Sequence, residues 1–200
     1  LGAATGSLNF TNQSSYIGDI TRTGAGAMTL AVNNSTVNNT ADGTLNLTSM
    51  TLANNAKLGL VVDNARIASN TPIFNITGTA DIAANTVLTP IFGQFTTEPF
   101  TLRVLNAGTL NLGGPLDAML NVDSPYIYDI DLVQPNANAI DLTLDVKTAS
   151  ELGLNTRQTG AYGAVLDLMS EDDDVGAAVT SIPGADEFLR GWADLLPGSD

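Results

Sequence analysis

The 200 residues of this chain contain no His and no Cys, so the residues whose types and spacing suggest chemistry are carboxylates. The absence of His and Cys removes Ser-His and Cys-His nucleophilic catalysis, imidazole or thiolate zinc sites, histidine pH switches and any disulfide framework. The carboxylates with suggestive spacing are Asp129, Asp131, Asp141 and Asp145, carried on two alternating apolar runs. If Gln134-Pro135-Asn136-Ala137-Asn138 joins those runs as a regular five-residue hairpin loop, Asp131 and Asp141 face each other across the strands. Like charges in that position repel unless solvated or bridged. Three readings are open: a divalent cation held by oxygen ligands at Asp131 and Asp141, a glycosidase carboxylate pair, or the solvated outer face of an acidic protein. The third requires no ligand and is favoured, so no catalytic residue, metal or cofactor is expected.

Other local patterns are weaker. Calcium binding at Glu171-Asp172-Asp173-Asp174 would want alternating carboxylates and a glycine, which the contiguous run lacks. Acidic residues behind a helix N-cap at Ser170 would complement the helix dipole instead. Gly113-Gly114-Pro115-Leu116-Asp117 resembles one calcium-binding nonapeptide but is not repeated. Sequons such as Asn9-Phe10-Thr11, Asn46-Leu47-Thr48 and Asn75-Ile76-Thr77 are what an Asn- and Thr-rich chain produces by chance. No P-loop, dinucleotide fingerprint or nucleophile elbow occurs.

Charge narrows the partners. Seven Lys and Arg against 21 Asp and Glu leave a formal charge of −14, which repels phosphate backbones and anionic lipid and disfavours nucleic acid. Aromatics are only 6% although apolar residues reach 44%, so the core must be built from Leu, Val, Ile and Ala. No apolar run approaches the roughly 20 residues of a membrane-spanning helix. The opening residues Leu1-Gly2-Ala3-Ala4-Thr5-Gly6 read as the middle of a repeat, so a fragment is expected, with its export signal and anchor outside it.

The elements that must position these groups fall into three zones. Residues 1–95 carry short runs of period two, among them Leu8-Asn9-Phe10, Met28-Thr29-Leu30-Ala31-Val32 and Leu45-Asn46-Leu47. Leu58-Gly59-Leu60-Val61-Val62 and Phe74-Asn75-Ile76 continue the pattern. Later runs lead into a polar corner and a shorter apolar piece: Met50-Thr51-Leu52, Ala65-Arg66-Ile67 and Ala80-Asp81-Ile82. Asn33-Asn34, Asn38-Asn39 and Asn54-Asn55, with Gly24, Gly26 and Gly43, suit left-handed corners. A recurring strand-corner-strand unit implies a mainly β fold, a right-handed parallel β-helix (solenoid) whose coils bury their apolar side by stacking. An antiparallel sandwich or jelly roll is the competing architecture.

In residues 96–147 the strands lengthen, through Phe100-Thr101-Leu102-Arg103-Val104 and Leu110-Asn111-Leu112, into a hairpin over 126–133 and 139–146. Tyr126, Tyr128, Ile130 and Leu132 share one face; Ile140, Leu142, Leu144 and Val146 share a face of the partner. Such a hairpin would cap an open stack of strands. Residues 148–200 change to helical period. Asn155 and Gln158 have capping-box spacing, and Ala161, Tyr162, Val165, Leu166 and Met169 form one stripe. Beyond Pro183, Phe188, Leu189, Trp192, Leu195 and Leu196 mark a short amphipathic helix stopped by Pro197-Gly198. Phe188, Leu189 and Trp192 read as a helix packing on its own domain, or as a docking surface for a partner or barrel rim.

The hairpin and the segment after it resemble the end of type V autotransporter passengers. The matching residues are Glu151, Leu152, Gly153, Leu154, Asn155, Gln158, Ala161 and Tyr162, after a terminal hairpin and before a helical linker. The resemblance covers roughly residues 126 to 170; residues 1–95 resemble the family only in composition. It implies a passenger stretch, exported through its own C-terminal outer-membrane β-barrel with the outer-membrane assembly machinery. That stretch would have coils over 1–95, an autochaperone-like cap over 96–147 and a helical linker over 148–200. It also implies a bacterial cell-surface or extracellular location, and a role as stalk and cap in secretion-coupled folding and display rather than as an enzyme. The barrel itself does not follow within the chain, and the linker is longer than in many relatives. A self-associating or adhesive surface protein is the alternative, and a polysaccharide-acting β-helix enzyme a distant third.

Overall fold

The computed structural model describes residues 5–121 and 125–194. The expected roles of Leu1 to Ala4 within a repeat, of Leu195 and Leu196 on a helix face, and of Pro197-Gly198 as a stop lie outside the described residues. The chain divides into two units. The first contains Leu1–Ile91, Thr101–Asn121 and Asp131–Leu142; the second contains Phe92–Phe100, Val122–Ile130 and Thr143–Asp200.

Alternating apolar residues produce the strands, and their side chains stack by register. Strands β1 (Gly6–Phe10), β3 (Met28–Asn33), β6 (Ser49–Ala53), β8 (Phe74–Ile82) and β10 (Phe100–Leu112) pair in parallel in that order. Leu8, Leu30, Met50, Ala80 and Leu110 are successive register partners, as are Phe10, Val32, Leu52, Ile82 and Leu112. Leu30, Val32, Met50, Leu52, Ala80 and Ile82 are buried. Fully burying an aliphatic side chain contributes about 1.5–3 kcal/mol, so these columns hold the ladder in register. Strand β8 is long enough to take two neighbours on one edge. Its Phe74 to Ile76 pair with β5 (Leu45–Leu47), and its Ala80 to Ile82 pair with β6. A second, parallel sheet has the order β2 (Ser15–Gly18), β4 (Thr36–Asn39), β7 (Lys57–Val62) and β9 (Val87–Phe92).

Polar positions next to the apolar columns form ladders of their own. Asn54 Nδ2 donates to Asn33 Oδ1 at 3.1 Å, Asn75 Nδ2 to Asn46 Oδ1 at 3.0 Å, and Asn111 Nδ2 to Asp81 Oδ1 at 2.7 Å. Asn34, Asn54 and Asn55 take positive φ at corners, as expected, and so do Gly24 and Gly43. Asn38 and Asn39 do not turn the chain; they lie in β4. Asn39 is buried, and its Oδ1 accepts from the backbone N–H of Ile20 at 2.7 Å and of Ala41 at 3.2 Å. At the register shift between Ala107 and Thr109, a Cβ on Gly108 would sit 2.5 Å from the Thr77 carbonyl oxygen. Only glycine lets the two backbones approach so closely there.

The far edge of the large sheet is made by β12 (Ala139–Val146) and β11 (Tyr128–Asn136). Two residues, Ala137 and Asn138, separate these strands, and so short a link joins only antiparallel neighbours. On β10 and β12, Arg103 meets Asp141 while Ala107 N–H donates to Asn138 at 2.9 Å, so these strands also run in opposite directions.

The chain therefore does not form the expected single right-handed parallel β-helix. Among the described residues it is a mixed α/β fold, with an eight-stranded sheet of parallel and antiparallel neighbours, a four-stranded parallel sheet and four helices. Two features overturn the simpler expectation. The ladder reverses direction at β12, where a two-residue turn replaces a crossover. In addition, Ala65-Arg66-Ile67, read as a short strand, lies in helix α1 (Asn64–Ser69), because Asp63 caps its N-terminus and Asn70 ends it at φ 49°.

Helices α2 (Thr156–Glu171), α3 (Asp173–Thr180) and α4 (Ala185–Asp194) come after the hairpin. Asn155 caps α2 in a complete capping box with Gln158, as its spacing predicts. Ser170 is not a cap but the penultimate residue of α2. Asp172 caps α3 instead, accepting from Asp174 N–H at 3.0 Å and Val175 N–H at 3.2 Å.

Candidate functional site

The four carboxylates of the hairpin are not gathered into one site. Asp129, Asp131 and Asp145 are exposed, whereas Asp141 is buried on β12 and pairs with Arg103 of β10. The expected five-residue loop is a two-residue turn, since β11 runs on to Asn136. Counting back from that turn carries Asp131 three places beyond the position opposite Asp141. The Arg103 guanidinium thus occupies the place beside Asp141 that a bound cation or a second carboxylate would need. Among the described residues, no three metal-ligating side chains converge. A solvated outer face describes Asp129, Asp131 and Asp145 but not Asp141. Strand β12 lies between β10 and β11, and Ala139, Ile140, Asp141 and Leu142 are all buried on it. Sequence reasoning missed this pair; the signal was one of only seven basic residues inside an apolar strand run.

A second missed group is Arg66, 3% exposed at the start of α1. Asp63 Oδ1 accepts from its backbone N–H at 2.8 Å and Asp63 Oδ2 from its Nε at 3.1 Å. Its Nη2 donates to the Ala41 carbonyl, and Nη1 finds no acceptor among the described residues. This arrangement is structural, a buried cation held by one carboxylate and one carbonyl.

The eight hairpin residues behave mostly as a packed pair of faces. Tyr128, Ile130, Leu132, Ile140, Leu142 and Leu144 are buried. Val146 is half-buried, and so is Tyr126, which lies in the turn ahead of β11 rather than in the strand.

The residues of the Glu151 to Tyr162 pattern come together in the second unit, around the end of β12. Lys147 N–H donates to Ile127 at 3.0 Å; its Nζ donates to the Tyr126 carbonyl at 2.9 Å and lies 4.4 Å from the Tyr126 ring centroid. The Tyr162 hydroxyl, from α2, donates to the Lys147 carbonyl. Glu151 Oε2 accepts from both the N–H and the hydroxyl of Thr148 at 2.8 Å, and these bonds hold its carboxyl below the usual range. The turn they stabilise is held at neutral pH and loosens as acid protonates that carboxyl. Leu152 is buried, Gly153 has φ 73°, and Leu154 N–H closes the turn onto Ala149 at 3.0 Å. Tyr162 stacks on Trp192 with centroids 5.7 Å apart, Trp192 meets Phe188 at 5.4 Å, and Phe188 meets Tyr126 at 5.5 Å. Trp192 and Phe188 are each 1% exposed, so α4 packs on its own unit. Tyr126 N–H also donates to Ile182 at 2.8 Å. One continuous cluster thus joins the hairpin base, the Glu151 to Tyr162 motif and the last helix.

Tyr128 anchors the other side of the hairpin base. Its hydroxyl accepts from Thr96 N–H at 3.0 Å and donates to the Thr96 carbonyl at 3.2 Å, with Phe92 and Phe95 against its ring. Burial pushes the phenol well above its ordinary value, partly offset by the Thr96 bond. A phenol whose folded pKa is raised contributes stability that is complete below the unfolded value of about 10 and is lost as pH climbs through the folded one. Tyr128→Phe should lower unfolding free energy at pH 7 by about 1–2 kcal/mol through the lost bonds. It should also flatten the alkaline fall in urea midpoint above about pH 10. A variant with the parent's alkaline slope would exclude Tyr128 as its source.

Comparison of the chain with protein-family models, with curated proteins and with solved structures gave no match.

Proposed function

We propose that this chain is a non-enzymatic surface-display module: the closing stretch of an autotransporter passenger, whose hairpin and helical tail support folding during export. The supporting observation is the placement of the family-like motif. Glu151, Leu152, Gly153, Leu154, Asn155, Gln158 and Tyr162 build the turn, capping box and hydroxyl contact that tie α2 to the end of β12. Each residue of the pattern has a local job in ending a sheet and starting a linker. In this reading the partners are the chain's own C-terminal barrel and the outer-membrane assembly machinery, and the location is the bacterial surface.

The test joins the chain ahead of an outer-membrane β-barrel translocator in a Gram-negative host and measures protease-accessible protein on whole cells. The full chain is expected at the surface. Removing residues 126–146 should cut display about tenfold or more and abolish refolding of the purified chain, because the ladder loses its antiparallel edge. Removing residues 6–18, which carry β1 and β2, should leave both close to the parent. Equal loss from both deletions, or full display without the hairpin, sinks the proposal.

Self-association is a second reading, favoured by one feature. Strands β1 and β2 stand at the ends of their sheets, and Ile17 on β2 is 70% exposed. Neither strand contains Lys, a residue that natural edges use against pairing. Sedimentation velocity on Ile17→Lys decides it: a concentration-dependent dimer in the parent that this substitution removes supports pairing, and a monomeric parent removes it.

A further inference from the structure

The chain contains one Asp-Gly pair, Asp42-Gly43, and no Asn-Gly pair. The pair lies in the corner between β4 and β5. The residues on either side are fixed. Ala41 is buried; its N–H donates to Asn39 Oδ1 at 3.2 Å and its carbonyl accepts from Arg66 Nη2. Thr44 Oγ1 donates to the Pro72 carbonyl at 2.6 Å, and Leu45 N–H to the Ile73 carbonyl at 2.9 Å. Between these anchors the pair itself stands open. Both residues are exposed, Gly43 has φ 84°, and a Cβ there would meet no atom within 4 Å. Among the described residues, neither the Asp42 carboxyl nor the Gly43 N–H has a hydrogen-bond partner.

We propose that Asp42-Gly43 is a self-modifying site, at which the Gly43 backbone nitrogen attacks Asp42 Cγ and closes a succinimide. Glycine has no side chain to shield that nitrogen and keeps the backbone freedom that ring closure needs. The N–Cγ bond forms as the C–O bond of the carboxylic acid breaks, and the hydroxyl leaves with the amide proton as water. Water then reopens the ring. Addition at Cγ restores aspartate. Addition at the former backbone carbonyl gives isoaspartate, whose chain runs through Cβ and Cγ and whose α-carboxylate hangs free. No oxidant, reductant or cofactor takes part, and the mass ends unchanged. The isomer lengthens the corner by one carbon between two anchored ends, so one set of contacts has to shift. On one side stands the Ala41 carbonyl on the buried Arg66 guanidinium, whose Nη1 already finds no acceptor among the described residues. On the other stand the bonds that bring Leu45 opposite Phe74 in the β5–β8 ladder. Loosening either lowers the stability of the isomerised chain.

The test incubates the folded full chain at neutral pH and physiological temperature. Isoaspartate is counted by methylation with an isoaspartyl methyltransferase and located by peptide mapping with electron-transfer fragmentation. It is expected to accumulate in the peptide that carries Asp42, several-fold ahead of every other aspartate. Asp42→Asn, whose amide is the more reactive electrophile, should accumulate it faster. Asp42→Glu, which would have to close a larger ring, should show none at this position. The aged parent should melt below the fresh parent, while Asp42→Glu keeps its midpoint. The same chain held in urea gives the rate without the fold. Isoaspartate at Asp42 in urea but none in the folded chain overturns the proposal, and so does equal accumulation at other aspartates. Isoaspartate at Asp42 with an unchanged melting point overturns the coupling of the corner to Arg66 and β5.

Discussion

Arg103→Ala should lower the unfolding free energy by about 3 kcal/mol, near the low end for breaking a buried ion pair. Asp141 is the reason. It is 7% exposed on strand β12, which has a neighbour on each side, and the Arg103 guanidinium is the cation beside it. Truncating the arginine leaves a carboxylate inside the sheet without its counter-charge, and that penalty exceeds the Coulomb energy lost. The low end applies because the Arg103 side chain is 30% exposed, so water partly screens the pair. Replacing both residues with Leu should come within about 1 kcal/mol of the parent, since a well-packed apolar pair avoids two desolvation costs. Urea denaturation of the parent, both single variants and the double variant measures the coupling. A loss below about 1 kcal/mol for Arg103→Ala would show the pair to be an exposed contact with little weight.

Asp63→Ala should cost more, about 3–5 kcal/mol. One side chain here does two things: it caps α1 through Arg66 N–H, and it neutralises a guanidinium that is 3% exposed. The cap alone accounts for about 1 kcal/mol; the stranded cation accounts for the rest. Arg66→Met, which removes the charge and keeps much of the volume, should therefore be milder than Asp63→Ala despite deleting the larger group. Thermal unfolding of the two variants gives the order directly, and a melting point for Arg66→Met below that of Asp63→Ala would refute the argument.

Both pairs escaped a sequence reading for the same physical reason. A strand of period two announces which positions face in, but not whether its other face is solvated or covered. Asp141 sits on the polar phase of a well-formed alternation, and only the placement of β12 between two neighbours buries it. Arg66 lies in a short apolar run that reads equally as strand or as one turn of helix. The decision falls to Asp63, whose carboxylate can both cap and pair. The expected face-to-face position of Asp131 and Asp141 failed because register depends on turn length, and the turn is three residues shorter than its composition suggests.

Local periods were legible from the residues alone: alternating strands up to Val146, a capping box at Asn155 and Gln158, and helices beyond it. So was part of the chemistry on offer, since a chain without His or Cys has no imidazole or thiol to use. These are properties of neighbouring residues, and short-range sterics and hydrogen bonding set them. Which strands become neighbours is settled only when the chain packs. There β8 accepts both β5 and β6, β12 reverses the direction of the ladder, and Asp141 is buried beside Arg103. Those outcomes depend on contacts between residues far apart in the chain, where many pairings satisfy the same alternation and packing chooses among them.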